Sequence, residues 1–105
     1  MYYVYMLRCE DNSVYTGIAK DLEHRLNEHF SQDEKCAKYT KSRKAKKLEI
    51  SWETENKSTA SKLEYAIKTL TKVQKENLIK EPKLLNDFFK ERLDVNNYKV
   101  YKNMI

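Results

Sequence analysis

Glycine is almost missing: the 105-residue chain holds one, Gly17, where average usage would supply about seven. A sequence so sparing of glycine points to a place for this one where a β-carbon would obstruct something. Cysteine is scarce as well. Cys9 and Cys36 are too few for a disulfide framework, and together with His24 and His29 they do not make a zinc spacing. No apolar run approaches the roughly 18 residues that span a bilayer, and "MYYVYMLRCED" lacks the basic lead and apolar core of a secretory leader. A cytoplasmic location with reduced thiols is the expectation, with no membrane partner. Repeats and low-complexity linkers are absent too, so the length accommodates one domain with one modest core.

Acid is missing from one segment. Residues 35–47, "KCAKYTKSRKAKK", carry seven Lys or Arg and no Asp or Glu, which leaves the rest of the chain near −2 against an overall charge of +5. All the excess positive charge is therefore concentrated there, around an aromatic residue. Ammonium and guanidinium groups displace counterions from a polyanion and a ring offers a stacking face, so Lys38, Tyr39, Lys41, Arg43 and Lys44 are candidate nucleic-acid contacts. The plain rival is a solvated lysine-rich loop.

What is present reads as a packed mixed domain. Hydrophobic residues make up 40% of the chain and charged ones 35%, with eight tyrosines, enough for an interior under an ionic surface. "YYVYMLR" and "SVYTGIA" are β-branched and aromatic, separated by the turn formers Asp11 and Asn12, which predicts a hairpin. Tyr3, Tyr5 and Leu7 then share one face of the first strand with Tyr15 and Gly17 of the second, and Tyr2, Val4 and Met6 take the other. Asp21 caps a helix over about 21–31. The basic segment reads as a long loop with some helical turn. Leu48, Ile50 and Trp52 alternate with Glu49, Ser51 and Glu53, a third strand with one buried face. Ser58 or Thr59 caps a second helix striped by Ala60, Leu63, Ile67 and Leu70, and Thr71 with Gln74 forms a capping box for a third that ends near Pro82. Leu84, Leu85, Phe88, Phe89 and Leu93 form a fourth, and "NNYKVYKNMI" is open between a loose tail and an added strand. The expected fold is α/β of the α+β kind: a three-stranded antiparallel-centred sheet flanked by helices, in the order ββαβααα. Residues 1–82 form the main unit, and 83–105 a C-terminal helix and tail packing on it.

Tyr3-Val4-Tyr5, Tyr15-Thr16-Gly17, Arg25 in "KDLEHRL" and Glu64 in a following helix make an ordered set. In these residues, and in "AKYTKSRKAKKLEI" and "SKLEYAIKTLTKVQKENLI", the chain resembles the small standalone members of the GIY-YIG nuclease superfamily over about residues 2–80. The two signature triplets correspond to "YVY" and "YTG", with Tyr3 departing from the glycine of the first. The resemblance implies a DNA endonuclease that hydrolyses phosphodiesters with one divalent ion, Mg²⁺ or Mn²⁺. The residues suit that task. Arg25 stays protonated and grips phosphate through two bonds, and Glu64 offers a hard carboxylate to the metal. Tyr15 is the expected proton acceptor, with Tyr5 as its partner; a phenol with a pKa near 10 needs neighbouring cations to help it. His29, one turn after Arg25, relays or accepts the proton. Gly17, on the Tyr15 face, keeps the floor open for phosphate and metal, unless a β-bulge or close helix contact explains it.

Rival readings attach to the same residues. Glu64 would belong to a capping box with Ser61 if the second helix began late. Taken whole, the chain could retain the fold and the basic 35–47 segment as a binding module without cleavage. A further alternative places a second copy of the chain against the apolar C-terminal helix. With no separate element for reading base edges, a nuclease of this build is expected to prefer nicks, branches, single strands or DNA shape, as in repair and processing.

Overall fold

The computed structural model describes residues 1–102. Strand β1 (Tyr2–Cys9) and strand β2 (Val14–Ala19) form the expected hairpin. Asn12 takes the left-handed conformation in its turn, with φ 70°, and Asp11 accepts from the Ser13 N–H at 3.0 Å. Helix α1 (Leu22–Phe30) starts on Asp21, whose carboxylate accepts from the His24 N–H at 3.1 Å. Within the basic segment a five-residue helix, α2 (Lys38–Ser42), precedes strand β3 (Ala45–Thr54). Helices α3 (Lys57–Lys68), α4 (Lys72–Lys80) and α5 (Leu84–Phe89) follow, and strand β4 (Lys99–Lys102) closes the described chain.

The sheet has four strands rather than three, in the order β2-β1-β3-β4, all antiparallel. The added one is the C-terminal segment, which pairs Val100 with Trp52 and Lys102 with Ser51. Its last three residues, 103–105, lie outside the described residues. Pairing there covers the β3 edge, where ladder groups would otherwise be left open.

Two bulges correct the simple alternation expected of β3. Met6 faces Ile50 while Leu7 faces Leu48, which makes Glu49 the extra residue; a second shift lies between Arg8 and Cys9. Because one inserted residue flips every side chain beyond it, Leu48 packs with Tyr5, Leu7 and Leu22. Ile50 and Trp52 pack on the other face with Val4, Met6, Leu63, Ile67 and Leu78. Both faces of β3 are thus buried.

The cap of α3 also differs. Asn56, in extended geometry, accepts from the Thr59 N–H at 3.0 Å, so Thr59 is the capped residue and Ser58 is already helical. Ser61 and Glu64 then lie well inside α3, which removes the capping-box reading of Glu64. The Thr71–Gln74 capping box is present on α4. Helix α5 is shorter than expected, with Leu93 beyond its end, and its Leu85 and Phe89 are buried in the chain's own core. With those two residues used inside the chain, the structure gives no support to a second copy docking there.

Two polar features in the core carry consequences. Arg8 donates Nε to Glu49 at 2.9 Å and both terminal nitrogens to Glu76 at 2.6 Å, tying β1, the bulge and α4 together. The Arg8 bonds hold the Glu76 carboxyl down at about 2. A carboxyl depressed in the fold stabilises above its unfolded pKa and loses that contribution as pH falls towards the folded value. Urea titrations should show a contribution on the order of 2 kcal/mol fading between about pH 4.5 and 2, and Glu76→Gln should remove that limb; an unchanged acid limb in the variant would refute the assignment. Thr16 is buried on β2, and its Oγ1 has no hydrogen-bond partner. Thr16→Val should raise stability by about 1 kcal/mol, read as a higher urea midpoint at constant m-value.

Candidate active site

The centre of the site is a buried polar chain that crosses three elements. Tyr5, 1% exposed on β1, meets His29 of α1 through Oη and Nε2 at 2.8 Å. His29 Nδ1 in turn lies 2.7 Å from Thr40 Oγ1 of α2, and the Thr40 hydroxyl donates to the Ala37 carbonyl at 3.1 Å. A hydroxyl has one hydrogen. With that hydrogen spent on Ala37, Thr40 accepts from Nδ1–H, which leaves Nε2 as the acceptor of the Tyr5 O–H. Burial, aided by the Arg25 charge, lowers His29 to about 4, so the imidazole is neutral at physiological pH and can play this part.

Gly17 faces Tyr5 directly across the hairpin. A β-carbon there would lie 2.6 Å from Tyr5 Oη, 2.8 Å from its Cζ and 2.9 Å from Tyr15 Cε2. Its φ is not positive, and none of the register shifts of the sheet falls at this residue. The glycine therefore makes room for the two phenol rings, which corrects the expectation of an open floor for phosphate: that volume belongs to Tyr5.

Around this centre stand the other predicted residues. The Tyr15 ring centroid is 5.4 Å from that of His29 and 6.3 Å from that of Tyr5. Arg25, on the His29 face of α1, donates Nη1 to Glu28 at 2.8 Å and to the Lys35 carbonyl at 2.6 Å. Its charge favours the ionised form of both phenols, while the Glu64 charge opposes it. Opposed charges therefore act on the same two oxygens. Desolvation dominates, however, and both phenols are raised above the usual tyrosine value. The expectation that cations would lower Tyr15 is not met in the protein alone. Glu64 reaches this side because α3 packs along β1 and the edge strand β2.

The basic segment divides. Tyr39 stacks beside Tyr15 at 5.5 Å, and Arg43 lies 4.5 Å over the Tyr39 ring while pairing with Asp11 at 3.1 Å. Lys38, Lys41 and Lys44 are exposed, Lys41 donating to the Glu34 carbonyl at 3.4 Å. Two neighbours were not foreseen. Thr40 is fully buried behind His29, and a threonine inside a lysine-rich run gives no outward signal of that. Lys68 bonds Glu64 at 3.3 Å and sits 5.8 Å over the Tyr15 ring; its i,i+4 spacing from Glu64 was the available clue.

For a divalent ion the donor set is narrow. Among the described residues no group of three or more His, Cys, Asp or Glu side chains could hold a metal. A single carboxylate beside the phenols fits Mg²⁺ carried largely by water and substrate phosphate, and does not fit a closed protein cage.

The chain is similar to known proteins over most of its length. The model of the GIY-YIG catalytic domain matches residues 1–77. A UPF0213 protein of Fusobacterium nucleatum is 46% identical over 101 residues, covering 96% of each chain. One of Staphylococcus saprophyticus is 42% identical over 80 residues, covering 76% of this chain and 95% of its own. The solution structure of a UPF0213 protein from Bacillus halodurans superposes with a TM-score of 0.50 at 38% identity, over 76% of this chain and 84% of that one. With the match running through both tyrosine triplets, α1 and α3, the chain belongs to the GIY-YIG nuclease family.

Proposed function

We propose that this chain is a metal-dependent endonuclease that hydrolyses phosphodiester bonds in DNA, and that Tyr5, Tyr15, Arg25, His29 and Glu64 carry the reaction. The observation behind this reading is that Arg25 and Glu64, from separate helices, act on the same pair of phenols that converge over Gly17.

The reaction needs a water to lose a proton as its oxygen bonds phosphorus, and the bond to the leaving sugar oxygen to break with its electron pair. Charge collects meanwhile on the phosphoryl oxygens. Tyr15 is the more exposed phenol and, in its ionised form, takes the water's proton; the fraction ionised grows with pH. Tyr5 is sealed, its own O–H committed to His29, so it holds the neighbouring ring and the imidazole in register. Arg25 is half-buried and already oriented by Glu28 and Lys35, which leaves a prepositioned guanidinium for the phosphate oxygens. Bound at Glu64, Mg²⁺ or Mn²⁺ would supply Lewis-acid stabilisation and offset the Glu64 charge, which adds to the burial that raises both phenols. Lys38, Lys41, Arg43 and Lys44 hold the backbone of the strand, with Tyr39 beside the site for stacking. Because such contacts read no base edge, nicked, branched or single-stranded DNA is the preferred substrate.

The Lys68–Glu64 pair favours one second reading. If that ion pair persists with substrate, the domain binds nucleic acid without cutting it. Incubation with single-stranded, nicked, branched and duplex oligonucleotides in Mg²⁺, Mn²⁺ or EDTA separates the two. A metal-dependent product is expected, reduced about 10²–10³-fold in Arg25→Ala and in Glu64→Gln. Product formation that survives both substitutions would place the activity elsewhere; binding without any product would leave the second reading. Since His29 titrates at about 4 and Tyr15 above the usual tyrosine value, kcat/KM should rise with pH through 7 to 9 without an inflection near 6.5. Gly17→Ala should cost stability and activity together, by about 1–3 kcal/mol in urea unfolding, because Tyr5 must move.

A further inference from the structure

The structure holds a second concentration of positive charge that the charge pattern of the sequence does not single out. Lys68 closes α3 and Lys72 and Lys75 lie three residues apart at the start of α4, across the short turn between the helices. Two of the three are held in place. Lys68 is bonded to Glu64, and Lys72 donates to the Asn12 carbonyl at 2.5 Å and pairs with Glu76 at 3.1 Å. The Lys75 ammonium has no hydrogen-bond or ion-pair partner among the described residues, although the residue is only partly exposed. Burial, with the Lys72 and Lys68 charges, holds its pKa below the ordinary lysine value.

The nearby carboxylates balance this cluster only in part. Glu76 is already engaged through both oxygens by Arg8, and Glu64 is shared with the catalytic hollow. An ammonium half-desolvated beside two others is unfavourable for the fold, and the cost is recovered when an anion enters. Lys68 lies over the Tyr15 ring and Lys72 on the hairpin turn, which puts the cluster along the free edge of β2, next to the site.

We infer that Lys68, Lys72 and Lys75 form a phosphate-binding subsite, separate from the 35–47 segment, that takes a backbone phosphate of the substrate strand away from the scissile bond. The identity of that strand rests on the nuclease reading; the anion site itself does not. Free phosphate or pyrophosphate shares the chemistry.

The test uses the full chain with Lys75→Gln, Lys75→Arg and, as a control at the far end of α3, Lys57→Gln. Anisotropy of a labelled single-stranded oligonucleotide is followed in EDTA across a salt series, beside thermal unfolding without DNA. Lys75→Gln should unfold at the same or a slightly higher temperature, yet bind about 5–10-fold more weakly at low salt. Its log K against log salt slope should shrink by about 0.7, one single-strand phosphate. Lys75→Arg and Lys57→Gln should match the wild type. Wild-type binding with no change in Lys75→Gln would overturn the subsite and leave the nuclease reading standing. Should the wild type bind no oligonucleotide, that reading fails, and pyrophosphate followed by NMR of the lysine ε-methylenes decides: saturable shifts lost in Lys75→Gln support an anion site for a free phosphate, and their absence overturns it.

Discussion

A phenol buried at the centre of the sheet sets the terms for the rest of the molecule. Tyr5 lies almost wholly out of water, so its hydroxyl must find a partner inside the protein. The partner is His29, itself fully buried, whose other nitrogen must be satisfied too. That second requirement draws in Thr40, and through it the Ala37 carbonyl. Each link lies on a different element. The short α2 is therefore fastened to α1, and α1 to β1, by the need to satisfy two desolvated side chains. The direction of the hydrogen bonds follows from the threonine end, and it keeps the imidazole neutral with its acceptor nitrogen towards the phenol.

The same burial explains why charges are placed as they are. Desolvated phenols resist ionisation, and Arg25 alone does not reverse the shift. Its guanidinium is held by Glu28 and Lys35 on one side of the rings, and Glu64 is held by Lys68 on another. The hollow thus carries a fixed positive group for phosphate oxygens and a separate negative group for a cation, with neither pairing the other. An Arg25–Glu64 ion pair would have consumed both. Partners drawn from the periphery orient the two groups, and each partner can give way separately to a phosphate or a cation.

Much of this was legible from the residues. The alternation of tyrosines in β1 and β2 gave the face on which Tyr5, Tyr15 and Gly17 meet, and the four-residue step from Arg25 to His29 gave a shared helix face. What was not legible depends on register and on contacts between distant segments. A bulge at Glu49 moves Leu48 across the sheet, and no pattern in β3 itself announces it; the extra residue bonds Arg8, forty-one residues earlier in the chain. Thr40 lies in a run whose composition reads as solvated, and its burial arises only because His29 arrives from a helix eleven residues earlier. Scarcity marks Gly17 as special, but the space above a glycine does not disclose which neighbour fills it, here the Tyr5 hydroxyl.

Residues beyond the family match complete the frame that positions Glu64. Leu85 and Phe89 close the core against which Leu63 and Ile67 of α3 pack, and β4 pairs with β3 on the edge opposite β2. Tyr98 adds a direct tie, donating its hydroxyl to the Thr59 carbonyl in the first turn of α3 at 2.6 Å, and Arg92 reaches Thr69 just past the other end at 3.2 Å. Helix α3 is thereby held at both ends by the C-terminal segment and along its length by the core. Rotation about its axis is what would carry Glu64 and Lys68 away from Tyr15, because both lie one turn apart on the same face. A segment with no side chain in the hollow therefore governs where the carboxylate stands.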